Sequence, residues 1–293
     1  MPDNRFYFLD VFAEERYTGN QLAVVMNAEN FDDVMMQRIA REFNFSETTF
    51  VIGSEPSDKG FRIRIFTPAH EIHFAGHPTL GTAYVIREKL VGEPVDTVTL
   101  DLNAGSIPVS FSDTADSLLW MRQLPPTFGQ QHGTNELAAV LGLSHADFDE
   151  HFPIEEVSTG TPFFIVPLKT LEAQKRIKID LQENAGLVGR SEAKGILTFC
   201  PETEENNNDL NVRVFVHWYG VPEDPATGSA GGCLAGYLVK HRYFESDRID
   251  IKVEEGIQIG RPSRLYLRAS DGKSGMAINV GGKVKEVAEG TLQ

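Results

Sequence analysis

The stretch Asp224-Pro225-Ala226-Thr227-Gly228-Ser229-Ala230 repeats the design of an earlier one, His77-Pro78-Thr79-Leu80-Gly81-Thr82-Ala83. Each copy sets a proline directly after an ionisable side chain and follows it with small residues leading into an amphipathic run. That is how a loop turns into a helix. His77 and Asp224 are therefore expected at two helix N-termini. The unpaired N–H groups and partial positive charge of a helix start favour anions, and two such ends facing one another would cradle a small carboxylate. Either copy alone reads as a well-capped helix start; the recurrence gives the pair its meaning.

Two further matches keep the same order along the chain. Gly160-Thr161-Pro162-Phe163-Phe164-Ile165-Val166 resembles Gly19-Asn20-Gln21-Leu22-Ala23-Val24-Val25 at an offset of 141, and Arg213-Val214-Phe215 matches Arg64-Ile65-Phe66 at 149. Asp224 then pairs with His77 at 147. Offsets this close argue for a duplicated domain. The 293 residues accommodate two domains, each of roughly 100–200 residues. Leu124-Pro125-Pro126 reads as the boundary, giving domains 1–124 and 125–279, with a C-terminal strand near 280–293 a candidate to return to the first.

Local patterning supplies the elements. Alternation over Phe6–Phe12, the turn Tyr17-Thr18-Gly19-Asn20 and the apolar run Leu22–Met26 predict a strand pair. Asn30–Asn44 carries apolar residues at helical spacing, with Asp32 and Asp33 in its first turn. Strands are expected at Ser46–Ile52, Phe61–Phe66, Thr97–Leu102, Ser106–Phe111 and Ser117–Arg122, with a helix over Thr79–Leu90. In the second half a short helix, Asn135–Leu141, is expected to be capped by Thr134 and stopped near Gly142. A strand at Ile196–Phe199 and a helix over Ala226–His241 follow, and strands near Ile249, Leu265 and Met276 close the chain.

Composition excludes several classes. With 42 acidic against 27 basic side chains the formal charge is -15, and no Lys/Arg-rich run interrupts it, so nucleic acid and anionic membranes are not expected partners. No basic start with an apolar core opens the chain and no long apolar stretch follows, so a soluble, cytoplasmic protein is expected. Cys200 and Cys233 are the only cysteines, too few for a disulfide framework or a four-ligand zinc set. His70, His73 and His77 have metal-like spacing, but Pro68, Gly76 and Pro78 break any helix that would align them, and the segment is no HExxH. No metal is expected. There is no GxSxG elbow, and the TGSAGG run has no P-loop lysine; it also reads as a helix packed closely through small residues.

What remains is a carboxylate site at which side chains exchange protons. Glu47 lies where a helix gives way to a β-branched run, among mostly uncharged neighbours. Facing a cavity, such a carboxylate suits proton transfer; facing solvent, it is an ordinary surface group. His77 and Asp224 would orient the substrate or share the proton.

Ser46-Glu47-Thr48-Thr49-Phe50, Phe74-Ala75-Gly76-His77-Pro78-Thr79-Leu80-Gly81-Thr82-Ala83 and Glu223-Asp224-Pro225-Ala226-Thr227-Gly228-Ser229-Ala230-Gly231-Gly232 together resemble the phenazine-biosynthesis, PhzF-like isomerase family. Asp10-Val11-Phe12, Thr18–Val25, Gly260–Leu267 and Val280–Val284 extend the resemblance over essentially the whole chain. It implies an α+β fold of diaminopimelate-epimerase type: two pseudo-symmetric halves, each a mostly antiparallel, barrel-like sheet around a central helix, with the site in the cleft. It further implies Glu47 as the acid/base, His77 and Asp224 flanking the reacting ring, and Ser46, Gly76, Gly228 and Ser229 holding the carboxylate. The reaction implied is proton migration on a substrate like trans-2,3-dihydro-3-hydroxyanthranilate, without a cofactor, in a homodimer. Related epimerases use a thiol at each helix end; here none stands beside His77, and Cys233 lies nine residues beyond Asp224. A non-catalytic small-acid binder and a racemase or epimerase of small acids are the alternatives. His73 and Val216-His217-Trp218-Tyr219 depart from the family pattern, which bears on substrate identity.

Overall fold

The computed structural model describes residues 4–112, 117–273 and 275–293. The chain forms two units, Met1–Arg122 with Gly281–Gln293, and Gln123–Val280. In the first lie β1 (Arg5–Val11), β2 (Asn20–Val25), α1 (Asp33–Phe43), β3 (Glu47–Ser57), β4 (Gly60–Phe66), β5 (Glu71–Ile72), α2 (Gly76–Val85), β6 (Thr97–Leu102), β7 (Gly105–Phe111) and β8 (Leu119–Arg122). The second holds β9 (Thr127–His132), α3 (Thr134–Leu141), β10 (Ile154–Ser158), β11 (Pro162–Pro167), α4 (Leu171–Arg176), α5 (Leu181–Arg190), β12 (Gly195–Cys200), β13 (Leu210–Val216), β14 (Val221–Asp224), α6 (Gly228–Lys240), β15 (Arg248–Glu255) and β16 (Ser263–Gly272). After β17 (Gly275–Gly282), β18 (Val284–Thr291) belongs to the first unit and pairs antiparallel with β1.

The two units wind alike. In the first, β1 is antiparallel to β2, β2 parallel to β3, β3 antiparallel to β4, β4 parallel to β6 and β6 antiparallel to β7. In the second, β10 is antiparallel to β11, β11 parallel to β12, β12 antiparallel to β13, β13 parallel to β15 and β15 antiparallel to β16. β18 flanks β1 as β9 flanks β10, both antiparallel. The similarity of Gly19–Val25 to Gly160–Val166 thus falls on β2 and β11, the strands that open the parallel step in each unit. Leu22, Ala23, Val24 and Val25 are all fully buried, as the continuous apolar run of a strand covered on both faces must be.

At the centre of each sheet lies a helix. α2 touches β1, β2, β3, β6, β7, β8 and β18, and α6 touches β10, β11, β15 and β16. Neither has the amphipathic character expected of it: nine of the ten residues of α2 and eleven of the thirteen of α6 are buried. A helix enclosed by a curled sheet has no solvent face, and its girth is limited by the strands around it. A Cβ on Gly81 would stand 2.5 Å from Leu22 Cδ2 and 2.9 Å from Val11 Cγ2. The small residues of both helices are there for packing.

Boundaries moved for local reasons. α1 starts at Asp33 because Asp32 caps it, accepting the Met35 N–H at 2.8 Å. Thr134 is the first residue of α3 and Gly133 its cap. α2 begins at Gly76, three residues before the expected start, and runs on as a π turn, Ile86–Val91. The helices α4 and α5 and the two short strands β5 and β14 were not among the expected elements. α1 lies over β3 and β4, where Met36 and Ala40 meet Val25, Phe50 and Phe66.

Candidate active site

The duplicated arginines show how each unit builds its loop. Arg64 on β4 donates from Nε and Nη2 to Glu71 at 2.8 and 2.7 Å, and Arg213 on β13 donates from the same atoms to Glu223 at 2.9 and 2.7 Å. Arg64 also packs over Phe66 and Arg213 over Phe215. Such paired forks fix a loop in one geometry. Here each fixes the segment just before a central helix. Hydrogen bonding to Arg64 holds the Glu71 carboxyl below its ordinary range.

This frame corrects the alignment of the two helix starts. Ile65 pairs with Ile72, and Val214, its counterpart beside Arg213, pairs with Asp224. Asp224 therefore occupies the place of Ile72 in the first unit, as the last residue of β14, ahead of the Thr227 N-cap of α6. His77 is the second residue of α2, behind the Ala75 cap, and its counterpart in α6 is Ser229, as Gly76 is that of Gly228. The Xaa-Pro-small similarity slid the copies past each other. Pro78 sits inside its first turn, where a missing N–H costs nothing, whereas Pro225 lies before its cap. Only His77 is at a helix N-terminus.

In the first unit, Glu47 is the opening residue of β3, directly after Ser46, and stands opposite Leu22 on the parallel neighbour β2. α2 brings His77 to it. His77 Nε2 lies 3.3 Å from Glu47 Oε2, with the ring almost wholly buried and the carboxyl side chain 17 % exposed. Burial pushes the imidazole down to about 3, only partly opposed by a hydrogen bond to the Gln21 backbone. The ring is therefore neutral at physiological pH. Gly76, buried beside His77, opens the helix.

In the second unit, Asp224 Oδ2 accepts a hydrogen bond from the Thr227 hydroxyl, and the Thr227 N–H donates to Glu255 Oε1 at 3.1 Å. Glu255 ends β15 and is 1 % exposed. Burial first, and then the charge of Asp224, push its carboxyl well above the usual range. Gly228 is buried as the first residue of α6, and Ser229 follows it, half-buried. Glu255 was not legible in the sequence. Lys252-Val253-Glu254-Glu255-Gly256 reads as a strand end dissolving into solvated charges, yet Glu254 and Glu255 are both buried.

The other candidates sort by burial. His70 and His73 are exposed while His77 is buried, and no group of three or more metal-ligating side chains occurs among the described residues. Burial pushes the thiols up, Cys233 to about 11 and Cys200 to about 12. His217–Tyr219 forms a 3-10 turn leading into β14, with Trp218 and Tyr219 exposed. No helix among the described residues is long and apolar enough to cross a membrane.

The sequence pattern of the PhzC-PhzF family, described as phenazine biosynthesis-like protein, matches residues 9–290. An uncharacterized isomerase of Mesorhizobium japonicum is 36% identical over 302 residues, covering 100% of this chain and 99% of its own. The trans-2,3-dihydro-3-hydroxyanthranilate isomerase of Pseudomonas aeruginosa is 34% identical over 295 residues, covering 98% of each. Among solved structures, the PhzF-family phenazine biosynthesis protein of Bacillus anthracis superposes with a TM-score of 0.90 at 29% identity over all of both chains. A probable proline racemase from Agrobacterium radiobacter, at 9% identity and a TM-score of 0.59 over 99% of this chain and 93% of its own, shares the fold. The α+β, diaminopimelate-epimerase-like architecture is thereby established, and with it the lineage: the chain belongs to the phenazine biosynthesis-like (PhzC-PhzF) family and is an isomerase of the PhzF type.

Proposed function

We propose that this isomerase moves a proton between two carbons of a small cyclic carboxylate of the trans-2,3-dihydro-3-hydroxyanthranilate class, with Glu47 as the acid/base. The observation that carries this reading is the 3.3 Å approach of Glu47 Oε2 to a neutral His77. A cationic partner would favour Glu47 as a spent carboxylate. A neutral imidazole puts no such charge beside Glu47, whose carboxyl is left to take up a proton and release it. The group can thus accept a proton from carbon and return it elsewhere on the same ring.

In this reading His77 tunes Glu47, Asp224 engages the polar substituents of the ring, and Ser46, Gly76, Gly228 and Ser229 hold the carboxylate. The first-turn N–H groups at Gly76 and Gly228 suit an anion. The raised thiols of Cys200 and Cys233 leave little thiolate at neutral pH, which weighs against a two-thiol racemase. We further propose that the enzyme works in the cytoplasm as a homodimer.

The test is hydrogen exchange in deuterated water with trans-2,3-dihydro-3-hydroxyanthranilate, followed by NMR. Glu47→Gln should slow label incorporation by about 10²–10⁴-fold, the usual worth of a general acid/base, while substrate dissociation changes little. Undiminished exchange in that variant would remove Glu47 from the role. Tight binding with no exchange by the wild type would make the protein a small-acid binder, and label at an inverted centre without isomerisation an epimerase.

A further inference from the structure

We infer that Glu255 is a positioning residue for Asp224: its buried carboxyl accepts the Thr227 N–H and so holds in place the residue whose hydroxyl donates to Asp224 Oδ2. This rests on the role given to Asp224 above, and extends it to a residue of another strand. Thr227 joins the two carboxyl groups, its N–H donating to Glu255 Oε1 and its hydroxyl to Asp224 Oδ2. With Glu255 buried and protonated, Asp224 is the single anion of the pair, its Oδ2 held by Thr227.

Packing fixes the backbone beside Glu255. The next residue, Gly256, has φ +73°, and a Cβ there would stand 2.5 Å from the Pro225 carbonyl oxygen and 2.4 Å from that of Arg261. The end of β15 is thus pressed against the backbone that follows Asp224. The Thr227 N–H then fixes Oε1.

The duplication shows that the fold itself asks for no carboxyl here. Parallel register pairs Arg62 with Asp101 in the first unit and Asn211 with Glu254 in the second. Glu255 therefore holds the place of Leu102, buried and apolar. A carboxyl buried where its twin is leucine costs stability, and the cost is explained if it serves Asp224. The charges facing Glu255 act in one direction: Asp224 and Glu223 from β14 both oppose its ionisation. Arg213, on β13, is engaged by Glu223, and on β16 Ser263 stands opposite while Arg264 is held by Asn208 and Glu205.

Carboxyl-labelled glutamate in the full chain, with E255Q to assign the signal, tests this without substrate. The Glu255 carbon should report the protonated acid at pH 7, and its titration midpoint should move down in D224N. An ionised Glu255 at pH 7, or a midpoint indifferent to D224N, would overturn the inference. In turnover, E255L should lower kcat/KM at least tenfold. E255Q, whose amide oxygen can still accept the Thr227 N–H, should recover most of that and lose the alkaline limb of the pH profile. Equal loss in both variants would instead mean a packing role. The NMR result stands whether or not Glu47 proves to be the acid/base, so the two readings fail separately.

Discussion

His77 is held neutral inside a helix, and that has a thermodynamic consequence. Its folded pKa of about 3 lies below the 6.5 of a free imidazole. Above pH 6.5 the ring is uncharged in both states and its burial costs nothing further. Between 6.5 and 3 the unfolded chain takes up a proton that the folded one refuses, so stability falls as pH falls across that window, by about 1.4 kcal/mol per unit at full slope. His77→Gln should flatten this part of the profile. Urea melts of both proteins from pH 7 to pH 4 check it: their stability difference should shrink, then reverse in favour of the variant. His77 was readable in the sequence because a proline and small residues announced the helix start. Its neutrality was not, since that depends on how completely β2, β3 and α2 close around it.

α2 and α6 show why small residues recur at the element scale. Both are enclosed by strands, so the space available sets side-chain size more strictly than helix propensity does. Gly81→Val would drive methyl groups into Leu22 and Val11. The expected outcome is a loss of about 1–3 kcal/mol from overpacking, read as a lower urea midpoint with the slope unchanged. The GSAGG run invited a phosphate-loop reading, but Gly231 faces Leu265 and Leu267, and Gly232 faces Gln123 and Thr159. Glycine signals close approach in either case. Only the neighbours say whether the approaching partner is a ligand or a side chain.

For the whole molecule, the order of strands is decided by long-range pairing. β18 completes the first unit along β1, so ending the chain after Gly282 should leave β1 with an open edge. Proteolysis of that truncated chain is expected to cut within residues 5–122 while the 123–280 unit resists; equal resistance of the two would refute the dependence. Duplication, the types of many strands and helices, and Glu47 and His77 as candidates could be read from residues, because periodicity, proline and glycine act locally. The true register of the second copy could not. Sequence similarity set Asp224 against His77, but the Arg213–Glu223 fork and the pairing of β14 with β13 set it against Ile72. Glu255 was hidden for the same reason: a charge at a strand end is solvated in a free chain and becomes a buried acid only when the backbone after Pro225 is laid against it. The sequence by itself determined the duplication and the kinds of element on which Glu47 and His77 lie. Tertiary structure decided which of them meet and in what protonation state, because burial and partner geometry are properties of packed strands and not of neighbouring residues.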